Sequence, residues 1–244
     1  MSTEAFVEVE DRDAVRIITL DRAEKLNALN TALTQQLLDA IESVGRDASI
    51  RAAVIRGAGR GFCSGADLAE FKDLTPDQQD RVMARADLTC RLQAAAQGQG
   101  KPFVAAIHGA TVGGGAGLAL GCDMVVAARG LKFGYPETKH SIVPALVMTG
   151  LQRALGRKAA FEMISLGRLI DADEAMALGL VNRVVDGDPL PAALAIAQTW
   201  AAIEPRAMAA TKSLFYRVGE LHFEAAMLAG RDVNAMMRSF REVK

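Results

Sequence analysis

The apolar positions of the chain change period several times along its length. Phe6 to Glu10 and Val15 to Leu20 are rich in β-branched and apolar residues, which predicts two short strands or a hairpin with Asp11-Arg12-Asp13 at the turn. From Thr31 the spacing becomes helical. Leu33, Leu37, Leu38, Ile41 and Val44 share one face, with Asn30 or Thr31 as the N-cap. Ala52 to Arg56 reads as a short apolar strand that runs into a glycine-rich loop, Gly57 to Gly65. Pro76 to Ala96 predicts a long helix closed by Gly98 and Gly100, and Phe103 to Ile107 the next strand. A second glycine-rich turn, Gly109 to Gly117, continues as a short helix over Leu118 to Gly121. Met124 to Ala128 and Lys132 to Gly134 are predicted strands. After Pro144 the pattern turns helical, at about Arg157 to Leu166, Ala172 to Leu178, Ala192 to Ile203, Arg206 to Val218 and Leu221 to Arg238.

Strands alternating with helices imply an α/β fold with a parallel sheet. The expected organisation is a body over residues 1–190 and a helical region over 191–244, which packs on that body or reaches across to another subunit. No Pro/Ser-rich linker separates the two parts, and no repeat of fixed sequence is visible.

Composition narrows the function classes. Half of the 244 residues are hydrophobic, enough for a sizeable core. Lys plus Arg is 28 against 29 Asp plus Glu, a net charge of -1, so nothing resembles the basic footprint of a nucleic-acid binder. Three widely spaced cysteines, Cys63, Cys90 and Cys122, form neither a disulfide framework nor a CxxC site, and His108, His140 and His222 lack metal-ligand spacing. The first residues carry acids early, unlike a signal peptide, and no apolar run is long enough to span a membrane. The expectation is a soluble cytoplasmic protein with no metal, no nucleic-acid partner and no membrane association.

Candidate chemistry sits at two strand-to-glycine-loop junctions. These are Gly61-Phe62-Cys63-Ser64-Gly65-Ala66-Asp67-Leu68 and His108-Gly109-Ala110-Thr111-Val112-Gly113-Gly114-Gly115-Ala116-Gly117. Glycine lets backbone approach a ligand closely, and a helix opening after such a loop presents free N–H groups. Two such groups converging from separate loops make an oxyanion hole; the plain alternative is close strand–helix packing. The second loop does not fit G-x-G-x-x-G, no P-loop occurs, and Gly61 to Gly65 is not a G-x-S-x-G nucleophile elbow. Cys63 and Ser64 are conceivable nucleophiles, although a lone Cys or Ser in such a turn more often serves packing or backbone geometry. Glu137, after Pro136 in Phe133-Gly134-Tyr135-Pro136-Glu137-Thr138-Lys139-His140, reads either as a general acid/base at the mouth of a glycine-lined site or as a surface or capping carboxylate.

Taken together, these segments resemble the crotonase superfamily, the enoyl-CoA hydratase/isomerase family, over Asp21-Arg22 to Val185. The similarity also takes in Leu26-Asn27-Ala28-Leu29-Asn30, Cys122-Asp123 and the Ala175 to Val185 stretch. The resemblance implies a spiral of β-β-α units with a C-terminal helical trimerisation region, an acyl-CoA thioester as substrate, and a homotrimer or dimer of trimers. It implies that coenzyme A enters only as part of the substrate, with no other cofactor. By position it makes the backbone N–H groups of Ser64 and Gly114 the oxyanion donors and Glu137 the general acid/base. Lys25, Leu26, Ser64, Gly65, Ala66, Asp67, Leu68 and Gly114 become the substrate- and CoA-binding residues, Asp67 more as a loop anchor or helix cap than as a substrate contact.

One departure bears on the reaction. Hydratases of the best-known type hold water between two glutamates, and the position of the first is Gly117 here. Enoyl-CoA hydratase is the first reading. A Δ3,Δ2-enoyl-CoA isomerase using Glu137 alone, or a CoA-thioester-binding protein with weak catalysis, are the alternatives. Tyr135 and Thr111 could place a water where the glutamate is missing, and Lys139 or His140 could meet a carboxylate on the acyl tail.

Overall fold

The structure is a computed structural model that describes residues 4–72, 75 and 77–238. The chain opens with a hairpin, β1 (Val7–Arg12) and β2 (Val15–Leu20), followed by α1 (Thr31–Arg46), β3 (Ala52–Gly57), α2 (Leu68–Phe71) and α3 (Gln79–Gly98). Next come β4 (Phe103–Ile107), β5 (Ala110–Val112), α4 (Gly114–Leu120), β6 (Met124–Ala128) and β7 (Lys132–Gly134). The last part is α5 (Val147–Leu155), α6 (Arg157–Ser165), β8 (Leu169–Ile170), α7 (Ala172–Ala177), β9 (Arg183–Val185), α8 (Leu190–Ala201), α9 (Pro205–Val218) and α10 (Phe223–Arg238).

The strands form a six-stranded sheet, β1-β2-β3-β4-β6-β9, parallel except for the hairpin, and a small sheet, β5-β7-β8. Successive turns of chain thus lay one strand in each sheet and return through a helix, as a spiral of β-β-α units requires. The turn of the hairpin falls at Asp13, at φ +54°, one residue later than the centre of the predicted turn, because β1 pairs with β2 as far as Arg12 opposite Val15.

The large sheet is covered on both faces, and strand alternation sorts its side chains between them. Ile18, Leu20, Ala53, Ile55, Ala105, Ile107, Val125 and Ala127 face the main core with α1 and α3. Val15, Ile17, Ala52, Val54, Val104, Ala106 and Val126 face α8, which contributes Leu190, Ala193, Ile196 and Ala197. Helix α1 buries the predicted stripe of Leu33, Leu37, Leu38, Ile41 and Val44, and Asn30 caps it by accepting from the Leu33 N–H. The long helix runs over Gln79–Gly98, whereas Pro76 lies outside the described residues.

Several elements escaped the sequence pattern. β5 lies inside the second glycine-rich turn, and α4 starts at Gly114 rather than Leu118. α5 occupies a stretch with no predicted helix, and β8 and β9 are two and three residues long.

The C-terminal helices are tied to the body by a buried ionic cluster. On α9, Lys212 is 5% exposed and donates to Ala96 O at 2.7 Å, Lys101 O at 2.9 Å and Asp123 Oδ2 at 2.8 Å. One turn later Tyr216 donates to Asp123 Oδ1 at 2.9 Å, and the Phe103 N–H donates to Asp123 Oδ2 at 2.7 Å. One carboxylate therefore holds the start of β4 and the face of α9. No described helix is long and apolar enough to cross a membrane.

Candidate active site

The first loop of the site is built around Asn27. Leu26 and Asn27 both take left-handed backbone, at φ 50° and 55°, a conformation that disfavours a leucine. The turn is held by the buried Asn27 side chain. Its Nδ2 reaches Ala58 O, Gly61 O and Phe62 O at 2.9, 3.0 and 3.1 Å, while its Oδ1 accepts from the Arg22 N–H at 2.8 Å. This amide clamps the Lys25–Leu29 segment to the Gly57–Gly65 loop. Asn27→Ala should lower stability by about 2 kcal/mol, because three buried carbonyls lose their donor, and should raise KM for an acyl-CoA through the displaced loop. Denaturant unfolding with saturation kinetics checks both.

The structure corrects one predicted donor. The Ser64 N–H donates to Leu26 O at 2.9 Å and is spent. The unspent group is two residues on. Ala66 bridges Leu29, and the bridge uses Leu29 N–H to Gly65 O at 2.7 Å and Asp67 N–H to Leu29 O at 3.2 Å. In a parallel ladder that pattern turns the N–H of the central residue away from the partner strand. Ala66 N–H has no partner among the described residues. The Gly114 N–H is likewise free, since it opens α4 and has no preceding turn to donate to. A Cβ on Gly114 would stand 3.9 Å from Ala66 N, and one on Gly65 would stand 3.2 Å from Gly114 N, so the two free donors lie side by side.

Cys63 and Ser64 do not form a nucleophile. The Cys63 thiol is buried, donates to Asn27 O at 3.1 Å and is pushed up to about 12 by desolvation. The Ser64 hydroxyl leans on Lys25 O at 3.4 Å, with no base beside it.

Asp67 anchors the loop and caps α2. It accepts from Arg22 at 2.6 Å and from the Ala69 N–H at 3.1 Å. Partial burial opposes its ionisation, but the Arg22 hydrogen bond, the Ala69 N–H and nearby charges outweigh that and hold its carboxyl below the usual range. Lys25 and Leu68 are exposed at the rim. Two further residues brace this corner without having stood out in the sequence. Arg85, 7% exposed on α3, donates to Leu29 O at 2.8 Å and to Glu70 Oε2 at 3.3 Å, and Glu70 accepts from the N–H of Thr31 at the start of α1.

Glu137 opens a short 3-10 turn, Glu137–His140, just after β7. Its Oε1 sits 2.8 Å from where a Cβ on Gly113 would be, next to the Gly114 donor. Only glycine allows this, since Gly113 also has φ +54°. Glu137 Oε2 is buried with no hydrogen-bond partner among the described residues. Desolvation raises the pKa above the ordinary 4.5, against the smaller opposing effects of a backbone N–H and of His140.

Tyr135 and Thr111 are fully buried, and neither hydroxyl has a partner among the described residues. Burial, then the Glu137 charge, pushes the Tyr135 pKa upward, so its hydroxyl stays protonated. Lys139 and His140 are exposed, and a Cβ on Gly167 would meet the Lys139 stem at 3.0 Å.

The space beside Gly117 is filled by a residue the sequence did not single out. A Cβ there would meet Gln93 Oε1 at 2.3 Å and Val147 Cγ1 at 2.9 Å. Gln93 lies on α3 and donates through Nε2 to Gly114 O at 3.0 Å.

The geometry is a pair of unspent backbone donors flanked by one desolvated carboxyl on a spiral α/β scaffold, and that scaffold has relatives among known proteins. The family model for enoyl-CoA hydratase/isomerase matches residues 10–241. The 2,3-dehydroadipyl-CoA hydratase of Escherichia coli is 36% identical over 233 residues, covering 94% of this chain and 89% of that protein. The crystal structure of an enoyl-CoA hydratase from Mycobacterium smegmatis superposes with a TM-score of 0.85 at 32% identity, covering 96% of this chain and 91% of that one. The enoyl-CoA hydratase of Bacillus anthracis gives 0.88 at 27% identity, covering 95% and 90%. The chain belongs to the enoyl-CoA hydratase/isomerase family and is an enzyme of that kind.

Proposed function

We propose that this enzyme hydrates a 2-enoyl-CoA thioester with a single carboxyl group. The observation that carries the reading is Glu137, desolvated and with an unpartnered oxygen, beside the free N–H groups of Ala66 and Gly114. The thioester oxygen would accept from both N–H groups, which stabilise the negative charge it gains as the enolate forms. Water bonds through oxygen to the β-carbon, and the π pair moves toward the α-carbon and the thioester oxygen. One oxygen of neutral Glu137 gives its proton to the α-carbon, and the other takes the proton that the water loses. The carboxyl returns to its starting state. Lys25, Leu26 and the Ser64–Leu68 loop line the approach from the CoA side, and coenzyme A enters and leaves with the substrate. The exposed Phe215, Phe223, Met227 and Leu228 on α9 and α10 support assembly as a trimer or dimer of trimers.

The test is incubation of a trans-2-enoyl-CoA in heavy-oxygen water, with the product read by mass spectrometry. A labelled 3-hydroxyacyl-CoA is expected. Conversion of a 3-enoyl-CoA to the 2-enoyl isomer with no hydroxylated product would replace this reading by an isomerase, and tight binding with neither reaction by a thioester-binding protein.

The pH dependence carries a sign. The step begins from protonated Glu137, and burial raises its pKa from 4.5, extending the protonated form upward. In a pH–rate profile, kcat/KM for hydration should fall as pH rises through the Glu137 pKa. A rise there would mean that the carboxylate acts first as a base.

A further inference from the structure

Glu137 can exchange protons with carbon and water, yet nothing in that role aims the water. A lone carboxyl handling both protons needs a second acceptor to fix the water's orientation, and the glutamate position that could supply one is Gly117. The oxygen beside Gly117 is Gln93 Oε1. Its identity as oxygen follows from the other end of the amide. Gln93 reaches Gly114 O at 3.0 Å, and a carbonyl only accepts, so nitrogen must point there and the oxygen must point toward Gly117. The amide is thereby pinned to the same residue that supplies a free N–H. Gln93 Oε1 keeps its accepting capacity, since no donor reaches it among the described residues.

The two oxygens reach over the same turn of chain. Glu137 Oε1 rests over Gly113 and Gln93 Oε1 over Gly117. These glycines are joined by the Gly117 N–H to Gly113 O hydrogen bond at 3.0 Å, one turn of α4. One helical turn rises about 5.4 Å, and a water donating a bond of about 2.8 Å to each of two oxygens bridges acceptors about 4.5 Å apart once its bend is included, so side-chain oxygens reaching over one turn are within bridging range. A water held between the two oxygens would give one hydrogen to each, leaving a lone pair for carbon. The amide oxygen orients the water and takes no proton, so the proton balance of the single-carboxyl step is unchanged.

We infer that Gln93 Oε1 positions the attacking water, taking over through α3 the place that Gly117 leaves open on α4. The inference rests on the hydratase reading. Its test is Gln93→Leu in the full-length enzyme, with two readouts. The first is hydration of a trans-2-enoyl-CoA. The second is exchange of the α-protons of a saturated acyl-CoA with deuterated water, which uses Glu137 and the two N–H groups but no attacking water. Hydration kcat should fall roughly 10- to 100-fold, as loss of one hydrogen bond in the transition state gives, while exchange changes by less than about threefold. Gly117→Ala is the second variant. Its methyl would meet the same oxygen first and Val147 next, and it should show the same split. Equal falls in both readouts would mean that Gln93 acts only by holding Gly114, and unchanged hydration in a folded variant that it does not position the water. Either result overturns the inference while leaving the hydratase reading in place. Absence of hydration by the unaltered enzyme overturns both.

Discussion

Glu137→Gln should lower turnover of a 2-enoyl-CoA by about 10²- to 10⁴-fold, the range that a positioned proton-transfer group contributes. The substitution keeps the shape and the contact over Gly113 but removes the transferable proton. Because Ala66 N–H and Gly114 N–H still receive the thioester oxygen, KM should move little, and the loss should appear in kcat and kcat/KM alike. Stability should move the other way. Burial puts the folded-state pKa of Glu137 above its ordinary 4.5, so the native state binds a proton more tightly than the unfolded chain. The stability this group contributes is complete below 4.5 and is lost as pH rises through the folded pKa. Above that pH a charged carboxylate with an unpartnered oxygen opposes folding, and a neutral amide does not. The variant should therefore melt at the same temperature as the parent, or higher, at neutral pH, with no gain at acid pH. Steady-state kinetics and thermal unfolding at two pH values check both halves. A variant that turns over normally removes Glu137 from the mechanism.

Much of this site was visible as letters, because the features that build it are local. Asn30 before a run of apolar residues at helical spacing is a cap-and-stripe pattern, and α1 follows it closely. Gly113 could be flagged because only glycine takes that backbone while a carboxyl presses on its Cα. The identity of the first donor was not local. Whether Ser64 or Ala66 keeps a free N–H depends on where Leu26 O and Leu29 stand, and those positions are set by Asn27 reaching carbonyls more than thirty residues away. Gln93 was hidden for a similar reason. It lies just before the three alanines Ala94 to Ala96 of α3, in no motif, and only the packing of α3 on α4 shows that it fills the space of an absent side chain. Helix α5 showed a weak signal because it is nine residues long and carries Thr149 and Gly150, poor helix formers, on its exposed side, and β8 and β9 are too short to show alternation.

Asp123→Ala should cost about 3–5 kcal/mol of folding stability, as breaking one side of a buried ion pair does. Its side chain accepts from the Phe103 N–H, Tyr216 and Lys212, and although Lys212 keeps Ala96 O and Lys101 O as acceptors, it loses its counter-charge. Lys212 bears most of the consequence. Desolvation already lowers its pKa from 10.5, Asp123 offsets part of that, and without Asp123 the folded-state pKa drops further. The unfolded chain then binds more protons than the native variant over a wider range, so the variant gains stability with rising pH faster than the parent does. Its deficit should be largest near neutrality and should narrow toward the ordinary lysine pKa. A double variant, Asp123→Ala with Lys212→Met, should lose less than the two single variants added together, since it leaves no buried cation without its counter-charge. Urea unfolding of the four proteins at two pH values gives the coupling. Additive losses would show that the cluster holds α9 by hydrogen bonds to Ala96 O and Lys101 O alone, with the ion pair contributing nothing.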